Sequence, residues 1–194
     1  MVYKIGLIGT HGTGKTALAA LIEGELKRRG IEAIKLPEIS TEARKRGLSI
    51  NRGTNLTTQM WILHQQFANE LELSGNSSHG TDYQVIITDR GPDNYCYLEQ
   101  GVGENRYALE MTLGHLTHFP YDAMYLLPRI NGNISQNGTR DLDQNFQRIM
   151  DEKIRLFLEK YNITHRILPL PQTEDKYRQE WVEIIVNETT NNLK

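Results

Sequence analysis

Short apolar runs alternate along the chain with longer segments of helical periodicity. Each run is followed by a polar or Gly/Pro-containing turn, and the runs lie at residues 3–8, 32–36, 84–88, 123–127 and 165–168. Apolar runs of this length are typical of strands buried on both faces of a parallel sheet, with helices as the crossovers. The pattern therefore predicts an α/β fold, a three-layer α/β/α sandwich whose middle layer is a five-stranded parallel sheet.

Three helices can be bounded from the same pattern. The first should begin just after Gly14 and end near Arg29, with a following glycine as its left-handed cap. The second is expected over residues 57–73 with Thr57 as its cap, because four apolar residues share one helical face: Met60, Leu63, Phe67 and Leu71. The last is expected from residue 173 to about residue 187.

Composition narrows the class of protein. The chain has 194 residues, 38% of them hydrophobic and 24% charged, which suits one domain over residues 1–194. A net charge of −2 offers no basic footprint for nucleic acid or an anionic membrane, and the single Cys96 excludes an internal disulfide. With neither a signal-peptide pattern nor an apolar run of about 18 residues, we expect a cytoplasmic protein with a small polar partner.

A glycine-rich motif follows the first apolar run. Residues 9–16 read G-T-H-G-T-G-K-T, which matches the pattern of Gly, four residues, Gly-Lys and Ser or Thr. Its glycines let backbone N–H groups converge on phosphate oxygens, and Lys15 can reach the β- and γ-phosphates while the Thr16 hydroxyl ligates Mg²⁺. We therefore predict a nucleotide site that consists of Gly9, Thr10, His11, Gly12, Thr13, Gly14, Lys15, Thr16 and Ala17. His11 fills a variable position, where a loop filler and a general base are both open.

The third predicted strand ends in an acid that discriminates among nucleotide-binding proteins. Asp89 is placed to hold Mg²⁺ opposite Thr16, because ligands collect at the carboxyl ends of parallel strands. The next residue is Arg90, and not the second carboxylate with which an ATPase polarises water. The guanine-reading motifs of GTPases do not occur in the sequence. An arginine beside the metal acid favours phosphoryl transfer to a small molecule.

With these motifs the chain resembles the P-loop nucleoside and nucleotide kinase superfamily. It is most similar to the nicotinamide riboside kinase-type domains of bacterial NAD-synthesis regulators and to their relatives among AAA domains. The likeness covers nearly the whole length, and it rests on the motif at 9–16, Pro37-Glu38 with Ala43-Arg44, Asp89-Arg90 with Asp93 and Tyr97, and residues 138–141 with Asp143 and Phe146.

The resemblance implies an enzyme that transfers the γ-phosphoryl group of MgATP to a hydroxyl of a nucleoside-like acceptor. It makes Glu38, after the second strand, the general base that faces that hydroxyl. A lid at about residues 129–145 would bring Arg140 to the transferring phosphoryl group and Arg129 to the adenine or phosphates, while Arg90 stabilises phosphoryl charge. Asp93 would touch a sugar or a substrate cation.

Several alternatives remain open from the sequence. Glu38 could be an ordinary acid at the start of a helix capped by Ser40 and Thr41. Arg44 could be a solvated helix end, or it could join Arg90 in gripping the phosphate of a nucleoside monophosphate. A regulatory module that binds or hydrolyses ATP without a small-molecule acceptor is the rival from another class. Oligomeric state is also open, a homodimer being one option.

Overall fold

The computed structural model of the chain describes residues 2–50, 53–75, 83–129, 144–170 and 177–193. Its strands are β1 (Tyr3–Ile8), β2 (Ala33–Lys35), β3 (Val85–Thr88), β4 (Ala123–Leu126) and β5 (Arg166–Ile167). Its helices are α1 (Lys15–Arg28), α2 (Ile39–Lys45), α3 (Leu56–Ser74), α4 (Asp93–Val102), α5 (Arg106–His118), α6 (Gln144–Lys160) and α7 (Tyr177–Asn192). No helix within the described ranges has the length and apolar character needed to cross a bilayer.

The five strands form one sheet in the order β2-β3-β1-β4-β5, and every paired strand is parallel to its neighbour. This confirms the predicted parallel sheet. β1 lies in the centre, between β3 and β4, so the residues that follow these three strands meet at one edge of the sheet. In an open parallel sheet this edge is where ligands bind.

Alternate residues of β1 face two separate helical layers. Ile5 and Leu7 belong to the core formed with α1 and α7, where Trp181 is fully buried. Ile8 points the other way, into the core formed with α3, α4, α5 and α6. This alternation is the two-residue period of a strand buried on both faces, and it confirms the three-layer sandwich.

The helix boundaries differ from the prediction in two places. α3 begins at Leu56, one residue earlier than expected. Its cap is Asn55, whose side chain accepts from the backbone N–H of Thr58 at 2.8 Å, so the prediction of Thr57 as the cap is wrong. α7 ends at Asn192, beyond the expected residue 187, and residues 171–176 lie outside the described part of the chain.

The predicted apolar face of α3 is also only partly correct. Leu63 and Phe67 are buried, but Leu71 is 40% exposed. The helix also buries polar side chains, Gln66 and Glu70 among them. They face the layer in which β1 presents Lys4, and the Lys4 ammonium lies 2.9 Å from the Glu70 carboxylate.

Candidate active site

The glycine-rich motif forms the loop between β1 and α1. Gly14 occupies the position before the first residue of α1 with φ +88°, a left-handed conformation that favours glycine. The loop therefore passes directly into the first turn of a helix, whose unpaired backbone N–H groups attract anions. This is the placement that a phosphate-binding loop requires.

Lys15 lies inside this loop. Its side chain is buried, and its ammonium group donates to the carbonyl oxygens of Gly9 at 2.8 Å and Thr10 at 2.6 Å. The hydroxyl of Thr13 also donates to the carbonyl of Thr10, at 3.0 Å. The positive charge thus lies at the centre of the loop, where the phosphate oxygens of a nucleotide bind in this motif.

Asp89 meets Thr16 across the gap between β3 and the loop. The Thr16 hydroxyl donates a hydrogen bond to the Asp89 carboxylate, which is buried. Burial raises the pKa of Asp89 to about 6, although the positive charge of Lys15 and the bond from Thr16 act in the opposite direction.

These two side chains fit a magnesium ion. A hydroxyl and a carboxylate are hard oxygen ligands, and a divalent cation would compensate the buried charge of Asp89. Within the described ranges no group of three or more His, Cys, Asp or Glu side chains could hold a metal ion. The remaining ligands of Mg²⁺ would therefore be phosphate oxygens and water, as is usual for this ion.

The amino-terminal end of α4 joins the loop to the turn after β3. The carboxylate of Asp93 accepts from the backbone N–H of Gly91 at 2.7 Å and from that of Gly9 at 3.4 Å. Arg90 lies 3.5 Å from the same carboxylate, and its guanidinium stacks over the ring of Tyr97 at 4.3 Å. Because Asp93 is fully buried and engaged by protein groups, it positions the site and does not touch a sugar, which corrects the expectation from the resemblance.

Helix α6 contacts the other side of the loop. The amide of Gln147 donates to the carbonyl of His11 at 2.8 Å, and the hydroxyl of Thr10 donates to the carbonyl of Gln147 at 3.1 Å. The His11 ring lies 5.4 Å from that of Phe146. His11 is thereby packed against α6 and Tyr97, a placement that matches a structural residue of the loop.

Glu38 lines the same site. It is the residue before α2, and it accepts hydrogen bonds from the hydroxyls of Ser40 at 3.2 Å and Thr41 at 3.0 Å. Ser40 and Thr41 lie inside α2, so they do not cap it, and that part of the alternative interpretation is wrong. Glu38 does stand at the start of the helix, as the same interpretation expected. Arg44, on the same helix, is exposed and is not among the described residues that line the cavity.

A cavity of about 320 Å³ connects these groups. Two parts of its wall were predicted. One is formed by the loop residues His11, Gly12, Gly14, Lys15 and Thr16, and the other by the charged side chains of Glu38, Asp89 and Arg90. A third part is uncharged: Tyr97 and Phe146 belong to the predicted family likeness, but sequence reasoning missed Ile39, Ser40, Ile50, Thr54, Gln59, Ile62, Asn94, Gln100 and Gly101. The spacing of Asn94, Tyr97 and Gly101 along one face of α4 is the signal that could have found part of it.

The two predicted lid arginines cannot both be placed. Arg140 lies outside the described residues. Arg129 follows β4 and is half-buried, but it is not among the described residues that line the cavity. Ala17 lies in the first turn of α1 and is likewise not among the lining residues. Nucleotide contacts by these three residues stay predictions.

Comparison with known proteins gives one family match. A family model described as an AAA domain matches residues 4–176. No curated protein sequence matches the chain significantly.

Solved structures of two kinds share the fold. The NadR protein in complex with NR superposes with a TM-score of 0.74 at 15% sequence identity, over 97% of this chain and 52% of its own. NadR in complex with NAD and AMP-PNP gives 0.70 at 12% identity, over 97% and 50%. The deoxyadenosine kinase from M. mycoides, with the products dCMP and a flexible dCDP bound, gives 0.57 at 16% identity, over 97% and 99%. The chain thus spans about half the length of the NadR chains that it matches.

Proposed function

The chain belongs to the AAA domain family, and from that premise we propose that it is a kinase that transfers the γ-phosphoryl group of ATP to a hydroxyl of a small nucleoside-like acceptor. One observation carries the proposal. The phosphate loop and Asp89 meet through Thr16 in a cavity that the carboxylate-bearing Glu38 also lines. A nucleotide and an acceptor hydroxyl can therefore occupy the same cavity side by side.

Each proposed role follows from position. Lys15 and the loop amides bind the β- and γ-phosphates, and Mg²⁺ bound at Thr16 and Asp89 supplies positive charge to those phosphates. Glu38 accepts the proton of the acceptor hydroxyl as that oxygen bonds to the γ-phosphorus, while the bond to the bridging oxygen breaks and ADP leaves with the electron pair. Arg90 stabilises the charge on the transferring group, and Arg140 joins it in the proposed lid.

The charges of the cavity favour a nucleoside over a nucleoside monophosphate. Among the described residues that line it, the lysine and arginine side chains are Lys15, which lies in the phosphate loop, and Arg90. The charge of Arg90 is balanced by Asp93, and its guanidinium is stacked on Tyr97. Arg90 is the cation proposed for the transferring phosphoryl group, so an acceptor phosphate would need a further cation of its own. The uncharged remainder of the wall suits a neutral acceptor.

The names of the structural neighbours agree with this reading. One is a deoxyadenosine kinase with dCMP and dCDP bound, and another is a NadR protein bound to NAD and AMP-PNP. At their level of identity they show a shared fold, so the activity of this chain rests on its own cavity.

The test is a product analysis. The protein is incubated with MgATP and matched pairs of nucleosides, nicotinamide riboside included, and their 5′-monophosphates, and product masses are read. We expect a nucleoside to gain one phosphoryl group and its monophosphate to gain none. Phosphorylation of the monophosphates alone would favour the monophosphate kinase, and ADP formation that no acceptor accelerates would favour the regulatory module.

A matched pair of lysine variants excludes contaminating activity. Lys15→Ala removes the ammonium from the loop and should lower the rate by about a hundredfold or more, with the fold intact. Lys45→Ala removes an exposed lysine of α2 that pairs with Glu42, and it should leave the rate unchanged.

A further inference from the structure

Behind the turn that follows β3 lies a buried polar cluster, formed by Lys4, Gln66, Glu70, His115 and Tyr121. The carboxylate of Glu70 is 1% exposed and accepts four hydrogen bonds. Lys4 donates at 2.9 Å, Gln66 at 2.7 Å and Tyr121 at 2.6 Å, and the His115 ring nitrogen lies at 3.0 Å. The five residues come from β1, α3, α5 and the segment between α5 and β4.

Stability alone does not explain such a cluster, because burying charged groups costs free energy of folding. Charges withdrawn from water lose solvation, and well-packed apolar residues of similar volume often stabilise a core as well or better. The surroundings are apolar, since the His115 ring stacks on Phe67 at 4.0 Å and the layer is otherwise a hydrophobic core. A buried cluster of this kind can instead hold neighbouring groups in a fixed orientation.

One member of the cluster reaches the active site. The side-chain amide of Gln66 donates both to Glu70 and, at 3.3 Å, to the backbone carbonyl of Arg90. Tyr121 closes the same turn from beneath, because its hydroxyl oxygen lies 3.3 Å from the position that a Cβ on Gly91 would occupy. The turn from Asp89 to Gly91 is thus contacted by two residues whose side chains are both bonded to Glu70.

We propose that Gln66 is a positioning residue for the turn that carries Asp89 and Arg90, and that the buried carboxylate of Glu70 fixes the orientation of its amide. The proposal rests on the proposed kinase function. Gln66 does not touch the reacting groups. It acts through the backbone carbonyl of Arg90, and so it sets where Asp89 stands relative to Thr16.

The test compares two buried methionine substitutions in the same cluster. Gln66→Met keeps the length of the side chain but removes the donor to Arg90, whereas His115→Met removes a contact to the other oxygen of Glu70. Because small misplacements of catalytic groups are costly, we expect Gln66→Met to lower kcat about tenfold or more while KM for MgATP stays within about twofold. His115→Met should lower the Tm by an amount similar to that in Gln66→Met, but leave kcat within about twofold of the wild-type value.

Amide hydrogen exchange gives a readout that does not depend on activity. Gln66→Met should speed exchange over residues 88–94, and His115→Met should not. Unchanged exchange there in Gln66→Met, or an equal loss of kcat in both variants, would overturn the proposal. If wild-type protein transfers no phosphoryl group, the kinase function fails, and the exchange comparison still decides the role of Gln66. Should Gln66→Met not fold, Glu70→Gln gives a second comparison, with smaller changes expected in the same direction.

Discussion

The hydroxyl oxygen of Tyr97 accepts a hydrogen bond from the backbone N–H of His11 at 2.8 Å, which ties α4 to the middle of the phosphate loop. The same ring supports the guanidinium of Arg90, so one side chain contacts both the loop that would bind ATP and the arginine that would face the transferring group. The phosphate loop and Arg90 are therefore connected through Tyr97 of α4.

Tyr97→Phe keeps the ring over which Arg90 lies and removes the hydroxyl, which contacts the backbone N–H of His11 and also the His11 ring nitrogen, at 3.3 Å. We expect nucleotide binding to weaken by about 1 kcal/mol, or about fivefold in Kd, since the loop loses the hydrogen bond to its backbone that fixes its conformation. Titration calorimetry with ADP measures the change. Tyr107→Phe, at a position that is 61% exposed, is the matched control, and equal affinity of all three proteins would contradict the prediction.

Glu38→Gln tests the proposed general base. The hydroxyls of Ser40 and Thr41 donate to the Glu38 carboxylate, which lines the cavity. We expect kcat to fall by about 10² or more, with KM for MgATP little changed, because Glu38 is not among the residues proposed to bind the phosphates. Glu42→Gln, which alters an acid of the same helix that pairs with Lys45, should retain full activity. A Glu38→Gln enzyme of normal kcat would remove Glu38 from the mechanism.

Asp89→Asn should raise the stability of the fold and abolish the Mg²⁺ dependence of nucleotide binding. Asparagine retains an acceptor for the Thr16 hydroxyl but lacks the buried charge, whose desolvation raises the pKa of Asp89 to about 6. We expect the free energy of unfolding to rise by roughly 1–3 kcal/mol and the Mg²⁺ dependence of ADP affinity to be lost. Urea denaturation and calorimetry with and without Mg²⁺ check the two parts. Asp151→Asn, in an ion pair with Arg155 on α6, should change neither, and preserved Mg²⁺ dependence in Asp89→Asn would exclude Asp89 as a ligand.

Features set by neighbouring residues could be predicted from the sequence. The bounds of β1 and the start of α1 follow from an apolar run, a glycine turn and a helix-forming segment that are contiguous in the chain. The edge of the sheet at which Asp89 meets Thr16 followed from the prediction of a parallel sheet, since parallel strands place their carboxyl ends together.

Contacts between residues far apart in the chain could not be predicted. The predicted apolar face of α3 included Leu71 and not Glu70. Glu70 is nevertheless buried, because Lys4, 66 positions away in the chain, supplies its partner. The contacts of Asp93 could not be predicted either. Its position matched a family motif, but its contacts with two backbone N–H groups depend on how α4 meets the loop.

The buried carboxylate of Glu70 also makes the fold sensitive to acid. Burial alone would raise its pKa, but bonds from His115, Tyr121 and Gln66 and the charge of Lys4 hold the pKa below its ordinary value. A carboxyl whose pKa is lower in the folded state stabilises the fold above the pKa of the unfolded chain, about 4.3, and that contribution is lost as the pH falls through the folded value.

We therefore expect the urea midpoint of the wild-type protein to fall between about pH 6 and pH 3, with Glu70→Gln less stable at pH 6 but less dependent on pH. The groups that face Glu70 are Lys4 from β1, Gln66 from α3, His115 from α5 and Tyr121 from the segment before β4. Glu110→Gln, at an exposed ion pair with Arg106, should follow the wild-type curve because solvent screens that pair. Parallel pH profiles for the wild type and Glu70→Gln would show that the acid sensitivity arises elsewhere.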